Sequence, residues 1–566
     1  MKNKPNILFV SIPSLPLELL RESFSGESAH PQILSMPLGI LYLSAYMKQK
    51  NGNIGKVGLL DYTAFLPNVV NYPKNEDYIL AEIHDQVDFE PDIIGISYMF
   101  TTSYSFFEVM APIIRNHWPN ALIVVGGVHA TNHYKFLLNN SNIDIVVRGE
   151  AEIAFSEIVK QYSSNIHNKI PGVIYKDDAL DEPHALLLSD QVTNLDELPF
   201  PDWDLCEMER YTTSTGRRRS IGDAVIKRIA AIMTTRGCPF KCTFCAAHSV
   251  NGRKLRFRSI DNIIEEVNIL NKRYGITLID INDDLFNAKK DRAMALLSKF
   301  KELNISGFEI QFPSGLYINN LDEDIIDAII GCNLKVLNFA LESGSEYVQR
   351  YIIKKNVNLH KAKEIITYCR SKGLIIRCFV IFGFPDETKE LMEETANYIK
   401  ELKSDWCNFM IATPLKGSEM YEEFLNRGYI QENMELLSGL FFRNRTFDTK
   451  EISAVDLKEF IYRLNLDINF VNNPNLREGN FDKAIDLFND ILIAYHFHIF
   501  ALYGLYLCYN GKEDQDAAEN IRYRMNALIR SNAQAKDMYD KYNLLLPACL
   551  IDNGNQSYLL PVDRDR

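Results

Sequence analysis

The chain has 566 residues, too many for one hydrophobic core, so it predicts two to four domains. Apolar residues make up 46% and charged residues 24%, the balance of a chain that folds rather than stays disordered. The net charge of −13 is offset by no basic block or stripe, which argues against nucleic acid or an anionic membrane surface as a partner.

Residues 1–160 alternate strand and helix signals. The opening MKNKPNILFVSIPS carries a short apolar run with no small-residue cleavage site after it, so it reads as a first strand and not as a signal peptide. Apolar runs at Ile7–Val10, Val57–Leu60, Ile93–Ser97, Leu122–Val125 and Ile143–Val147 predict buried parallel strands. Helical patterns such as Leu38–Lys50 and Phe106–Trp118 lie between them, which gives a doubly wound α/β sheet. Residues 161–225 are less regular. Pro171-Gly172 and Leu198-Pro199-Phe200-Pro201-Asp202 punctuate them as a linker with short strands.

Residues 226–430 restart the alternation, with strand candidates at Ile229–Thr235, Leu278–Asn282, Phe308–Pro313, Val336–Glu342, Ile375–Phe382 and Cys407–Thr413. Amphipathic helices such as Ile260–Tyr274 and Lys389–Lys403 separate them. Six such units fall short of the eight that close a full barrel, so a partial (β/α)6 barrel with an open side is expected, wide enough for a large substrate. Residues 431–566 lose the strand signal. GNFDKAIDLFNDIL, AYHFHIFALYGLYLCYNGK and EDQDAAENIRYRMNAL predict a helical, tetratricopeptide-like C-terminal cap rather than a repeat array, because only one unit is visible. Ile491–Tyr509 has no charged residue, yet its four tyrosines, His496 and His498 predict a buried helical hairpin and no stable membrane insertion.

Seven of the ten cysteines are scattered: Cys206, Cys332, Cys369, Cys378, Cys407, Cys508 and Cys549. They read as buried thiols of a reduced, cytoplasmic protein. The other three lie together in TTRGCPFKCTFCAAHSV, spaced Cys238-x3-Cys242-x2-Cys245. Three thiolates this close can reach three corners of one iron–sulfur cube, and without a fourth cysteine nearby one iron stays open. Structural zinc is the weaker alternative, since His248 is the only histidine nearby. Three unrelated core thiols are weaker still, because Gly237 and Pro239 mark a tight loop. That loop follows the first barrel strand, at the end where barrel enzymes place their chemistry.

This trio, with aromatic Phe244 before its last cysteine and a barrel strand before its first, resembles the radical S-adenosylmethionine superfamily. The resemblance covers about residues 1–430. It implies a [4Fe–4S] cluster on Cys238, Cys242 and Cys245, whose open iron chelates S-adenosylmethionine and cleaves it to a 5′-deoxyadenosyl radical. The cofactors supply the reactivity, and the protein supplies placement and a dry cavity. A reductant protein such as flavodoxin or ferredoxin and a small-molecule substrate are implied as partners.

The resemblance extends to further cofactor-binding candidates. ALESGS (Ala340–Ser345) resembles the segment that approaches S-adenosylmethionine, with Glu342 for a ribose hydroxyl and Ser343 for the methionine end. A helix N-cap by Ser343 or Ser345 is the structural alternative. Arg377, in the strand IIRCFVIFGFP, suits a cofactor or substrate carboxylate, or a structural ion pair. Asp283 and Asp284 end the second barrel strand, where the family often faces the cofactor with a polar group, and one of them can equally be an N-cap. Pro414 and Gly417 shape the turn of ATPLKGSEMY.

MPLGILYLSAYM (36–47), GISYMFTTSY (95–104), VVGGVHAT (124–131) and VVRGEAE (146–152) resemble the cobalamin-binding domain that precedes the barrel in one subgroup. Ser97, Gly126 and Gly127 end strands there, and the glycines let backbone approach a bulky ligand. A Rossmann-type nucleotide site lacks its G-x-G-x-x-G after the first strand. The Asp-x-His-x-x-Gly motif that supplies a cobalt ligand in many cobalamin proteins is absent, and His117, His129 and His133 do not match it. Cobalamin is therefore expected without a protein histidine on cobalt. The function implied is cobalamin-dependent methylation of an unactivated carbon. A radical cyclisation or rearrangement, as in the anaerobic magnesium-protoporphyrin ester cyclase group, is the runner-up. A cobalamin sensor or scaffold is a third reading, which the intact cysteine trio opposes.

Overall fold

The computed structural model describes residues 4–25, 36–164, 168–178, 187–213 and 227–547. Its N-terminal sheet has six strands: β1 (Ile7–Ser11), β2 (Val57–Asp61), β3 (Ile93–Ser97), β4 (Leu122–Gly126), β5 (Ile145–Val147) and β6 (Val173–Tyr175), in the order β2-β1-β3-β4-β5-β6. β1 to β5 run parallel and β6 joins antiparallel at the edge. Part of the stretch expected as a linker thus belongs to this sheet. Gly172, at φ +73°, turns the chain so that Val173–Tyr175 can pair with β5.

The strands are apolar up to their carboxyl ends because helices cover both faces. Ile7, Phe9, Ile93, Val124 and Phe155 share one buried cluster, and Phe9 meets Phe155 at 5.3 Å. Each such side chain contributes about 1.5–3 kcal/mol by burial. Register brings Asp61, Ser11, Ser97 and Gly126 into one row at the carboxyl ends. Strand order reverses between β1 and β3, and ligands of doubly wound sheets sit at that switch.

The second array begins with β7 (Ile229–Ile232), β8 (Thr235–Arg236) and β9 (Arg256–Phe257), followed by β10 (Leu278–Ile281) and β11 (Glu309–Gln311). It continues through β12 (Val336–Glu342), β13 (Ile375–Phe382) and β14 (Trp406–Ile411). The orders β7-β10-β11 and β12-β13-β14 form two three-stranded groups. A parallel bridge from Leu316 to Phe339 and the Asn338 side-chain amide, 3.0 Å from Phe312 O, join them. The result is the six-stranded partial barrel expected from the periodicity.

The strand anticipated at Ile229–Thr235 divides in two. Asp283 Oδ1 accepts the Thr234 and Thr235 backbone N–H groups at 2.5 and 3.0 Å, replacing ladder partners. β8 is thereby released to pair antiparallel with β9, with Arg236 opposite Arg256.

Residues 403–407 and 462–547 form a second compact unit. Helices Phe481–Ala494, Ile499–Gly511, Gln515–Ser531 and Ala533–Tyr542 build it. A Cβ on Gly504 would stand 2.4 Å from the Phe488 ring, so this helix glycine lets its neighbour pack close. The run Ile491–Tyr509 breaks between two helices, where His498 Nδ1 accepts the Ala501 N–H at 3.2 Å as an N-cap. Among the described residues no helix is long and apolar enough to cross a membrane. Cys549 lies outside the described residues.

Candidate active site

The cysteine loop runs from Gly237 to the helix His248–Asn251. Gly237 has φ +89°, and a Cβ there would lie 2.4 Å from Lys254 O, so only glycine fits. Cys238 N donates to Gly252 O at 3.2 Å, and Cys245 N to Cys242 O at 3.2 Å. Thr243 fastens the middle of the loop: its N–H and hydroxyl donate to Ile353 O at 3.1 Å and Ile352 O at 2.9 Å, and its carbonyl accepts Met420 N at 2.8 Å. Phe244 packs 6.0 Å from Phe384 in an apolar cluster beneath the loop.

Burial pushes all three thiols above their usual range, Cys242 to about 11, while the Lys355 ammonium pulls each of them down. Among the described residues no three His, Cys, Asp or Glu groups converge on one point, as a mononuclear zinc site requires. Three thiolates on one loop are the donor set that a cube takes on three of its irons.

The two candidate aspartates brace this loop. Asp283 pins Thr234 and Thr235 as described. Asp284 Oδ2 accepts Gly237 N at 3.0 Å and Asn251 Nδ2 at 2.8 Å. At the end of β12, Glu342 adopts φ +68° where the register with β13 slips. Its carboxylate is buried against Lys355 Nζ at 2.7 Å. Ser343 is fully buried, and its Oγ pairs with Thr395 Oγ1 at 2.9 Å and accepts Ser345 N at 3.2 Å. Its hydroxyl is thus held by local structure. Arg377 lies opposite Asn338 in the β12–β13 register, half-buried. Gly417, at φ +95°, brings the turn after β14 against Asn132: a Cβ would stand 2.5 Å from Asn132 Oδ1.

At the sheet, Ser97 and Gly126 are register partners. Gly127 has φ +110°, and a Cβ would meet Tyr98 O at 2.6 Å, so the fold itself demands glycine there. Gly126 is different, since the nearest atom to its Cβ would be Val147 O at 3.9 Å. A Cβ at Gly126 would therefore meet the protein only at ordinary van der Waals distance.

His129 lies between Tyr98 (4.0 Å) and His133 (4.3 Å), with Nδ1 3.0 Å from Thr101 Oγ1. Burial holds His129 well below the usual histidine range and His133 down to about 3, so both rings are neutral. His117 sits against Trp118 at the far end of helix Tyr104–His117, away from the carboxyl ends.

The carboxyl ends of the sheet and the barrel meet. Glu150 and Glu152 follow β5, and Arg236 directly precedes Gly237-Cys238. Arg236 Nη1 lies 3.0 Å from Glu150 Oε2 and 2.7 Å from Glu152 Oε1, and Arg256 also pairs with Glu150. All four side chains are buried. Asn132 Nδ2 donates to Ser249 Oγ at 2.9 Å beside them. Sequence reasoning singled out neither this network nor Lys355. Nothing local in VVRGEAE or TTRGC marks their pairing.

Residues 232–399 match the Radical SAM superfamily, and residues 32–159 match the B12 binding domain. An uncharacterized methyltransferase of Pyrococcus horikoshii is 31% identical over 68% of this chain and 78% of its own length. The cytidylyl-2-hydroxyethylphosphonate methyltransferase of Streptomyces wedmorensis is 27% identical over 78% of this chain and 83% of its own. The anaerobic magnesium-protoporphyrin IX monomethyl ester cyclase of Cereibacter sphaeroides is 24% identical over 66% and 58%. The fold is shared with OxsB, a cobalamin-dependent S-adenosylmethionine radical enzyme (TM-score 0.56, 15% identity, 96% of this chain and 81% of that one). It is shared also with the radical S-adenosylmethionine methyltransferase TsrM of Kitasatospora setae (TM-score 0.55, 17% identity, 76% and 78%).

Proposed function

The chain belongs to the radical S-adenosylmethionine superfamily, in the group that also carries a B12-binding domain, and from that premise we propose that it methylates an unactivated carbon of a small molecule. It is an enzyme whose cofactors are a [4Fe–4S] cluster, S-adenosylmethionine and cobalamin. The observation that carries the proposal is the meeting of the two carboxyl ends, through Glu150 with Arg236 and Asn132 with Ser249. Hydrogen removal and methyl delivery must act on one substrate carbon, so both cofactors need one cavity.

In this reading Cys238, Cys242 and Cys245 hold three irons, and Thr243, Gly237 and Asp284 fix the loop that presents them. Glu342 offers its carboxylate to the ribose of S-adenosylmethionine. The Ser343 hydroxyl is engaged with Thr395 and Ser345, so any contact from Ser343 to the methionine end falls to its backbone. Arg377 takes a carboxylate of cofactor or substrate. Ser97, Gly126 and Gly127 form a floor for the corrin, with neutral rings at His129 and His133. When bound, the cluster and S-adenosylmethionine supply a 5′-deoxyadenosyl radical, and cobalamin supplies the methyl group. A flavodoxin- or ferredoxin-like protein provides the electron, and the protein works in the cytosol.

A second reading, cyclisation or rearrangement without net methyl transfer, draws on the likeness to the Cereibacter sphaeroides cyclase. Product ratios separate the two. Methylation consumes two S-adenosylmethionine molecules and yields S-adenosylhomocysteine and 5′-deoxyadenosine in equal amounts. Substrate-dependent 5′-deoxyadenosine without S-adenosylhomocysteine overturns methylation in favour of cyclisation.

A further inference from the structure

Lys355 pairs with the strand end carrying Glu342, and Thr243 of the cysteine loop donates to Ile352 O and Ile353 O just upstream of it. Its Nζ lies 2.7 Å from Glu342 Oε1 and 2.6 Å from Ala340 O, and only 10% of its side chain is exposed. Neighbouring Lys354 pairs instead with Glu419, where both side chains are exposed and an ion pair contributes little.

The backbone around Lys355 is built to aim it. Lys354 and Asn356 on either side have φ +54° and +57°, and Glu342 has φ +68°. Three left-handed residues other than glycine therefore flank one ion pair; Asn356 tolerates that conformation, whereas Glu342 and Lys354 are side chains it disfavours. Strain of this kind persists where surrounding structure enforces it, and it gathers at functional sites. Here the enforcement is visible. The Tyr317 hydroxyl donates to Lys355 O at 3.4 Å, Asn319 Nδ2 donates to Asn356 O at 2.8 Å, and Thr243 grips Ile352 and Ile353 just upstream. The same Thr243 lies between Cys242 and Phe244, so loop and lysine are held as one piece.

We propose that Lys355 is a positioning residue of the cluster site: its buried ammonium presents Glu342 at the end of β12 and supplies the charge that favours the reduced cluster. The inference rests on the three cysteines holding the cluster. An electron added to a thiolate-bound cube makes an anionic assembly more anionic, and a nearby ammonium in a low-dielectric site stabilises that state. Glu342 works against this, so the pair sets the potential by the balance of the two charges.

The test is a potentiometric titration, read by electron paramagnetic resonance, of anaerobically reconstituted full-length protein without S-adenosylmethionine. Lys355→Met keeps its iron, and at the potential that half-reduces the parent cluster its reduced fraction falls several-fold. Lys355→Arg regains most of that loss, which a purely structural role would not predict. Glu342→Gln moves the potential the other way. A fully loaded Lys355→Met protein that titrates with the parent overturns the inference. Should that variant lose its iron, Glu342→Gln titrating with the parent overturns it equally. A parent protein that binds no cluster defeats instead the assignment of the cysteines.

Discussion

At the carboxyl end of the barrel the side chains that fix the site carry charge, and most of them are buried. Asp283 and Asp284 take backbone N–H groups, Glu342 faces Lys355, and Arg236 and Arg256 face Glu150 and Glu152. At the carboxyl ends of β3 and β4 the chain offers Ser97, two glycines and a stack of neutral rings, Tyr98, His129 and His133. The barrel end suits small charged groups whose placement is electrostatic. The sheet end suits a broad uncharged face whose placement depends on shape. Charge changes should therefore damage the first region, and added atoms the second.

The largest effect is expected at the cysteines. Cys242→Ala should lose most of the about four irons per chain and all cleavage of S-adenosylmethionine, as measured by iron analysis and 5′-deoxyadenosine yield. Next comes the network joining the two ends. Glu150→Gln leaves Arg236 and Arg256 short of a buried partner and should destabilise the first unit by about 3–5 kcal/mol in denaturant titration. A loss below 1 kcal/mol would mean that the network is hydrated and the ends are not locked.

The two glycines sharpen the contrast. Gly127→Ala forces a Cβ to 2.6 Å from Tyr98 O at φ +110° and should cost about 1–3 kcal/mol. Gly126→Ala meets nothing of the protein nearer than 3.9 Å, so stability should stay within about 0.5 kcal/mol while cobalamin affinity falls. Unchanged cobalamin affinity in Gly126→Ala would remove this glycine from the corrin floor.

A further effect is on acid stability. Burial lowers His133 to about 3 in the fold from an ordinary value of 6.5. The unfolded chain binds this proton first, so stability is lost as pH falls from about 6.5 towards 3. His133→Phe, which keeps the ring stack, should flatten that loss in denaturation midpoints taken at pH 7 and pH 5. An identical slope would show that His133 does not carry it.

Local signals were legible in the sequence because they repeat within a few residues. The helix Ile260–Tyr274 and the strands Val336–Glu342 and Ile375–Phe382 have the limits that their apolar periodicity predicts. The cysteine trio was legible for the same reason, its spacing being local. The pairings were not. Glu150 and Arg236 are 86 residues apart and meet only because two parallel arrays place their carboxyl ends together. Lys355 lies 13 residues beyond Glu342, past a strand end and a π-turn, a separation with no helical or strand period. Asp283 and Asp284 looked alike in sequence, yet one splits a strand and the other braces the cysteine loop, because the backbone N–H groups they reach differ.

The central claim is that cluster and cobalamin share one cavity. Electron paramagnetic resonance of cob(II)alamin in anaerobically reconstituted full-length protein tests it most directly, with the cluster first oxidised and then reduced. Dipolar broadening and faster relaxation of the cobalt signal on cluster reduction are the predicted result. A cobalt signal that is indifferent to the state of the cluster would place the two cofactors apart and contradict the account.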